Sequence, residues 1–252
     1  MANQALKELL FRMADDALII GHRNSEWTGL GPILEEDIAF SSMAQDQIGH
    51  ALAIYTILQE RLGERDADAL AFLRDAKDFR CCQFTEHPIG EYDFSLMRHF
   101  LFDHAHALRW EMLLGSSFEP LALLAKKLRG EIKYHVMHGN TWLKQLTNNG
   151  TEESKARMQS ALNECWPLAL GMFEETEGEK ELAEKNIFGG ENLLFEKWMN
   201  DVAPVLLECG LKIPDNAAPV LGGRKGFHTE WLQPLIEEMG SVLRSEPAGT
   251  KW

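Results

Sequence analysis

The chain of 252 residues is 45% apolar and 25% charged, ordinary for a globular protein and long enough for one large domain or two small ones. Thirty-nine acidic residues against 25 basic ones give a net charge of −14, which repels phosphate backbones and argues against nucleic-acid binding. An anionic ligand is expected only at a local basic patch.

No apolar run approaches the roughly 18 residues of a spanning helix, so no membrane segment is expected. Lys7, Glu8, Arg12, Asp15 and Asp16 interrupt the N-terminal apolar pattern, which predicts that the chain carries no signal peptide and is not exported. Cys81, Cys82, Cys165 and Cys209 form no Cys-x-x-Cys pair and read as reduced thiols of a cytoplasmic protein.

Helical periodicity dominates the chain. Leu6, Leu9, Leu10, Met13, Ala14, Ala17, Leu18 and Ile20 form one stripe that is expected to end near Gly21, before a polar turn from His22 to Gly31. Pro32 opens a second helix that continues to about Gly63, roughly 45 Å at 1.5 Å per residue. Asp66 to Leu73 reads as a short helix, and Arg74 to Asp93, broken by Pro88 and Gly90, as irregular.

A second long pair follows, from about Ser95 to Leu114 and from Pro120 to Leu146. Another helix is expected from Glu152 to about Glu175, with Pro167 able to bend it because proline lacks the amide donor. The acidic stretch Glu174 to Lys185 reads as a solvated face. Glu191 to Cys209 reads as a helix, Leu211 to Gly226 as a loop, and Thr229 to Leu243 as a final helix. No strand alternation is sustained and no linker divides the chain. The expectation is one all-α domain over residues 1–252, a four-helix bundle with additional C-terminal helices.

Polar residues recur inside the core helices in a repeated layout. Asp16 precedes Gln47 by 31 residues and Gln47 precedes His50 by three; Asp103 precedes Ile132 by 29 and Ile132 precedes His135 by three. Two hairpins with one internal layout suggest a duplication, and the layout matches the ferritin-like carboxylate di-metal bundle. There a carboxylate comes from each of two helices and Glu-x-x-His from each of the other two. Positions i and i+3 share a helix face, so both side chains of each motif reach the interior.

The departures matter. Gln47 is a neutral amide and Ile132 an alkyl group where bridging carboxylates are required, and Lys133 adds a positive charge beside the second position. Two metal ions would then sit undercompensated in a low-dielectric core. The six positions Asp16, Gln47, His50, Asp103, Ile132 and His135 therefore read as a relic, with no metal expected. Glu131 and Asp46 offer further oxygen ligands if the helices rotate. In the simplest structural alternative, these polar groups pair with one another and fix helix register.

Several segments resemble the C-subunit family of the bacterial ring-1,2-phenylacetyl-CoA epoxidases. They are Arg23 to Gly29 with Glu26-Trp27, Leu34 to Asp46, Arg74 to Phe79, Leu124 to His135, Met158 to Phe173, and Gly222-Gly-Arg-Lys-Gly-Phe-His-Thr-Glu-Trp231. The resemblance implies a non-catalytic structural subunit in a multicomponent monooxygenase of phenylacetate catabolism. It implies that a homologous A-type partner holds the di-iron centre, that a reductase supplies electrons from NADPH, and that the complex epoxidises the aromatic ring of phenylacetyl-CoA. Gln47 and Ile132 fit the C-type assignment, while His50 departs from it and leaves room for residual metal binding.

The resemblance further implies that Asp78, Phe79, Arg80 and Cys81, with Lys180, Glu181 and Leu182, lie near substrate. Arg80 and Lys180 would meet phosphates and Phe79 would stack on adenine; a surface loop with incidental basic residues is the alternative. Gly222 to Gly226 could cradle a phosphate, but the preferred reading is a loop and cap, with Thr229 near the N-cap and Arg224 or Lys225 at an interface. Trp231 and Trp252 read as packing or interface residues. The leading expectation is a scaffold in a pseudo-symmetric heterodimer, with a homodimer possible when the chain is alone. The rivals are an independent metal-dependent oxidase or oxygenase using Asp16, His50, Asp103 and His135, and a ferritin-like storage or binding protein.

Overall fold

The computed structural model describes residues 2–245, without the side chains of residues 2 and 3; Trp252 lies outside the described residues. Helices α1 (Ala2–Ser25) and α2 (Leu34–Leu62) form one hairpin. The short helices α3 (Ala67–Phe72) and α4 (Gln83–Glu86) follow, then the second hairpin, α5 (Tyr92–Leu113) and α6 (Glu119–Asn148). Helices α7 (Glu152–Leu170), α8 (Glu179–Glu184), α9 (Glu191–Glu208) and α10 (Leu232–Ser245) follow. The all-α expectation is met: among the described residues there is no strand, and no helix is long and apolar enough to cross a membrane.

Four helices form the bundle and set its register. Glu36, Asp46 and His50 on α2 pair with His138, His135 and Glu131 on α6, so these two helices run antiparallel. Gln47 and His50 meet Asp103 and His106 on α5, which therefore runs parallel to α2. Helices α7 and α9 cover the far side of α5, where the Trp198 indole donates to the Leu101 carbonyl at 2.9 Å. One continuous apolar core links the elements from Ala5 to Ile236. Its burial supplies the main driving force for folding.

A short helix, α4, forms within the stretch expected to be irregular, and two further departures from the sequence pattern bear on packing. Gly21 does not end the first helix; it lies at the crossing of α1 and α2, where a Cβ would come within 2.9 Å of Ile48 and 3.2 Å of the Ala44 carbonyl oxygen. A glycine required for close approach has, in sequence, the appearance of a stop. The acidic stretch from Glu174 to Lys185 is not uniformly solvated either, because Glu174 and Glu179 are buried. Glu179 accepts from Arg12 at 2.7 Å and from the Glu191 amide at 2.9 Å, and Glu174 accepts from the Gly222 amide at 2.7 Å.

Candidate functional site: a buried histidine–carboxylate core

Helices α2, α5 and α6 project a column of five imidazoles into the bundle. From one end to the other these are His138, His99, His135, His50 and His106, with successive ring centroids 5.2, 6.2, 6.3 and 5.6 Å apart. The i, i+3 spacings His135–His138 and Gln47–His50 and the i, i+4 spacing His99–Asp103 place these groups on inward faces. All five rings are buried.

Carboxylates flank the column and account for most of its hydrogen bonds. His138 Nε2 lies 2.9 Å from Glu36 Oε1, whose other oxygen accepts from the Tyr92 hydroxyl at 2.6 Å. His99 Nδ1 pairs with Asp103, which also accepts from Gln47 Nε2 at 3.4 Å. His135 lies between two acids, Nε2 at 3.0 Å from Asp46 and Nδ1 at an ion-pair distance of 3.8 Å from Asp103. His50 Nε2 reaches Glu131 at 3.0 Å, and its Nδ1 lies 3.3 Å from His106 Nε2, to which the Trp110 indole donates at 3.0 Å.

Charge is distributed unevenly along this column. Burial opposes the charged form of His135, but Asp103 and Asp46 outweigh it and raise its pKa to about 9. Burial likewise opposes ionisation of Asp103, yet His99 and His135 hold its carboxyl well below the usual range. Burial depresses His50, His99 and His106, only partly opposed by Glu131 at His50 and by Asp103 at His99 and His106. The core therefore favours an imidazolium at His135 between carboxylates and the neutral form at His50, His99 and His106. Such an arrangement fixes register: a slide of one residue along any of the three helices would separate the pairs.

The six relic positions do not all converge. Gln47, His50, Asp103 and His135 belong to this core, and Ile132 lies one residue from Glu131, buried in a cleft wall between α5 and α6. Asp16 is elsewhere. Its oxygens accept from both terminal nitrogens of Arg224 at 2.8 Å and from the Cys82 amide at 2.8 Å. Among the described residues no hydrogen bond or ion pair joins it to the other five. The interruption of an apolar stripe by Asp16 marks burial, but gives no means of telling a metal ligand from the partner of an arginine 208 residues away. Lys133 is exposed rather than turned inward.

Glu36, Tyr92 and His99 escape the sequence pattern. The available clue is His99 four residues before Asp103 within the apolar run Phe94 to Phe102. His104, adjacent to Asp103 in sequence, faces the other way and meets Asp201 at 2.6 Å and Asn140 at 3.0 Å.

The residues expected near substrate divide by burial. Phe79 is fully buried, with the Arg74 guanidinium 3.9 Å from its ring centroid, so adenine cannot stack there. Cys81 and Leu182 are also buried. Asp78 and Lys180 are exposed, and Arg80 and Glu181 are half-buried. Arg80, Thr176, Glu177, Arg224 and Lys225 share a cleft of about 340 Å³ with Gln4 and Glu8. Arg224, expected at an interface, is instead buried against Asp16, whereas Lys225 is exposed and pairs with Glu174 at 3.3 Å. Trp231 is exposed.

The Gly222–Gly226 block is a structural clamp. Gly223 lies so close to the preceding loop that a Cβ would stand 2.3 Å from the Cys81 carbonyl oxygen. Thr229, three residues before α10 begins, donates its amide and hydroxyl to Glu86 at 2.7 and 2.6 Å. Glu86 also meets His228 Nδ1 at 2.7 Å. Cys81, Glu86 and His228 bring three ligating atoms within 4.8 Å of one another, as no other set does among the described residues. Burial, then the charge of Glu86, pushes the Cys81 thiol well above its ordinary range, away from the thiolate that binds metal. Each of the three already has a protein partner, so a metal is not required to explain the cluster.

Known proteins are similar to this chain in sequence. The family described as "Phenylacetic acid catabolic protein" matches residues 1–252. The chain is 33% identical over 241 residues to the C subunit of 1,2-phenylacetyl-CoA epoxidase from Escherichia coli (strain K12), covering 96% of both chains. It is 23% identical over 195 residues to the A subunit of the same organism's enzyme, covering 75% of this chain and 62% of the relative. With the family matched over its full length, the chain belongs to the phenylacetic acid catabolic protein family.

Proposed function

We propose that this chain is the non-catalytic, structural subunit of a multicomponent monooxygenase that epoxidises the ring of phenylacetyl-CoA in the cytoplasm. On this reading it is a single ferritin-like domain. It pairs with a homologous A-type partner that holds the di-iron centre, while a reductase of the complex draws on NADPH. Similarity to the epoxidase's C subunit over nearly the whole chain supports the assignment, and the weaker similarity to its A subunit supports a shared ancestry of the two partners.

The fate of the six ligand positions carries the reading. A di-metal centre needs bridging carboxylates aimed at one point, and these residues do not fit it. Gln47 is neutral, Ile132 is alkyl, and Asp16 is bound on both oxygens by Arg224. The remaining acids are matched to imidazoles within the core, with His135 supplying a positive charge between Asp46 and Asp103. The interior then works as a polar lock that holds the bundle rigid for its partner.

A role in shaping the CoA site is supported by the cleft that unites Arg80 with Thr176 and Glu177, close in sequence to Lys180. Arg80 and Lys225 line it as cations paired with acids, Arg80 with Glu8 at 3.5 Å and Lys225 with Glu174 at 3.3 Å, and on this reading the phosphates of CoA displace those acids. The test is metal analysis of the chain expressed alone in iron-replete cells, joined to co-purification with an A-type partner. Substoichiometric iron and a stable complex that restores the partner's activity are expected. Stoichiometric iron in this chain, or no association, would overturn the reading.

A further inference from the structure

A cleft of about 370 Å³ opens between the C-terminal half of α5 and the middle of α6, on a surface that neither the histidine core nor the Arg80 cleft uses. Trp110, Leu114, Ile132 and Val136 supply apolar wall. The indole of Trp110 donates its only polar hydrogen inward to His106, so the ring offers carbon alone to the cleft. Ile132, an alkyl group in the interior-facing register of α6, extends the same wall.

The rim is cationic. Arg129 and Lys133 stand at i and i+4 on α6, hence on one face, and both line the cleft. Among the described residues neither makes an ion pair or side-chain hydrogen bond, although the chain has a net charge of −14. Glu131, the acid between them, is committed to His50 on the other side of the helix. The one lining carboxylate, Glu111, lies across the cleft on α5, near the negative end of that helix. The two rims therefore differ in sign, and an anionic head group is directed to the α6 side.

We propose that this cleft binds a small monocarboxylate with an apolar body, medium-chain or aryl, its carboxylate at Arg129 and Lys133 and its body against Trp110 and Ile132. The volume is at the lower end of ligand pockets, about 300 to 1,000 Å³, and suits a free acid rather than an entire CoA thioester. The inference does not use the CoA cleft and shares with the epoxidase reading only Ile132, whose alkyl side chain forms wall here.

The test is titration of the full chain with octanoate, followed by tryptophan fluorescence, with octan-1-ol and octylamine as uncharged and oppositely charged probes. Saturable octanoate binding is expected, with a response lost in Trp110→Phe and little binding of octylamine. The surface double variant Arg129→Ala/Lys133→Ala should keep its fold and weaken octanoate about tenfold, as loss of two exposed charge contacts allows. Nuclear Overhauser contacts from the octanoate chain to the methyls of Ala107 and Ala125 would locate it without relying on any variant. Absence of saturable binding, octan-1-ol binding as tightly as octanoate, unchanged affinity in the double variant, or contacts elsewhere would each overturn the proposal.

Discussion

Arg224 and Asp16 supply the most direct quantitative test of how the N-terminal helix is fixed. Their side chains are only 1% and 2% exposed, and the guanidinium makes two 2.8 Å contacts to the carboxylate. It also donates to the carbonyls of Arg80 at 2.8 Å and Met172 at 3.1 Å, tying α1 to the loop before α4 and the turn after α7. Arg224→Met removes the cation and leaves a buried carboxylate with one remaining amide donor, from Cys82. Breaking a buried ion pair on one side costs about 3–5 kcal/mol, most of it the uncompensated charge. Asp16→Leu should cost a similar amount by stranding the guanidinium. The double variant removes both charges and should lose much less than the sum, with a coupling of about 2–3 kcal/mol. Urea unfolding of the four proteins, monitored by far-ultraviolet circular dichroism and checked for equal m-values, gives these quantities. Single losses below about 1 kcal/mol, or additive ones, would refute the clamp and return Asp16 to the pool of free ligands.

The remaining predictions concern the core and its loops. His135, with its pKa raised to about 9, contributes stability that is complete below the unfolded value near 6.5 and is lost as pH rises to about 9, about 3 kcal/mol in all. His50, His99 and His106 act oppositely: their lowered values mean that stability is lost as pH falls below about 6.5, where the unfolded rings gain protons first. Unfolding free energies across pH 5 to 10 should therefore pass through a maximum, with the alkaline slope diminished in His135→Gln; an unchanged slope in that variant would count against the assignment. Gly223→Ala places a methyl 2.3 Å from the Cys81 carbonyl oxygen and should destabilise by about 1–3 kcal/mol, read as a lower urea midpoint. On the proposed relic reading, Gln47→Glu with Ile132→Glu and Lys133→Gln should raise bound iron over the parent chain by elemental analysis. A folded variant with no gain would show that lost carboxylates are not what excludes the metal.

Most of the fold is legible in the sequence because it depends on local pattern. The two long hairpins follow from apolar stripes at helical spacing, and α3 and α7 begin after Asp66 and Thr151, whose side chains accept from amides three residues on. What the pattern conceals depends on partners distant in sequence. Gly21 is identical on paper to a helix-ending glycine, and only the approach of α2 distinguishes it. Glu174 and Glu179 lie in a run that looks solvated until Gly222 and Arg12 arrive from elsewhere in the chain. Phe79 looks available for stacking in a basic loop, yet Arg74, five residues earlier, already covers its ring.

The same limit governs the candidate site, and it explains why one of the six ligand positions separates from the rest. Spacing along a helix states which residues share a face, but not what that face meets. For His50, Asp103 and His135 the inward face meets other helices bearing acids and imidazoles, so the motif and the observed cluster agree. Asp16 shares α1 with three further buried charges: Arg12 meets Glu179 and Glu191, Asp15 meets Arg74 and the Tyr55 hydroxyl of α2, and Arg23 meets Glu26 and the Glu86 carbonyl. A buried charge without a partner is too costly to retain, so four on one helix require partners, most of them on the segments that cover it. Those segments are the loops around Arg74 and Arg224 and the turn into α8 and α9. The polar face of α1 is thus an attachment surface for the rest of the chain, and its charges secure the loops and C-terminal helices to the bundle.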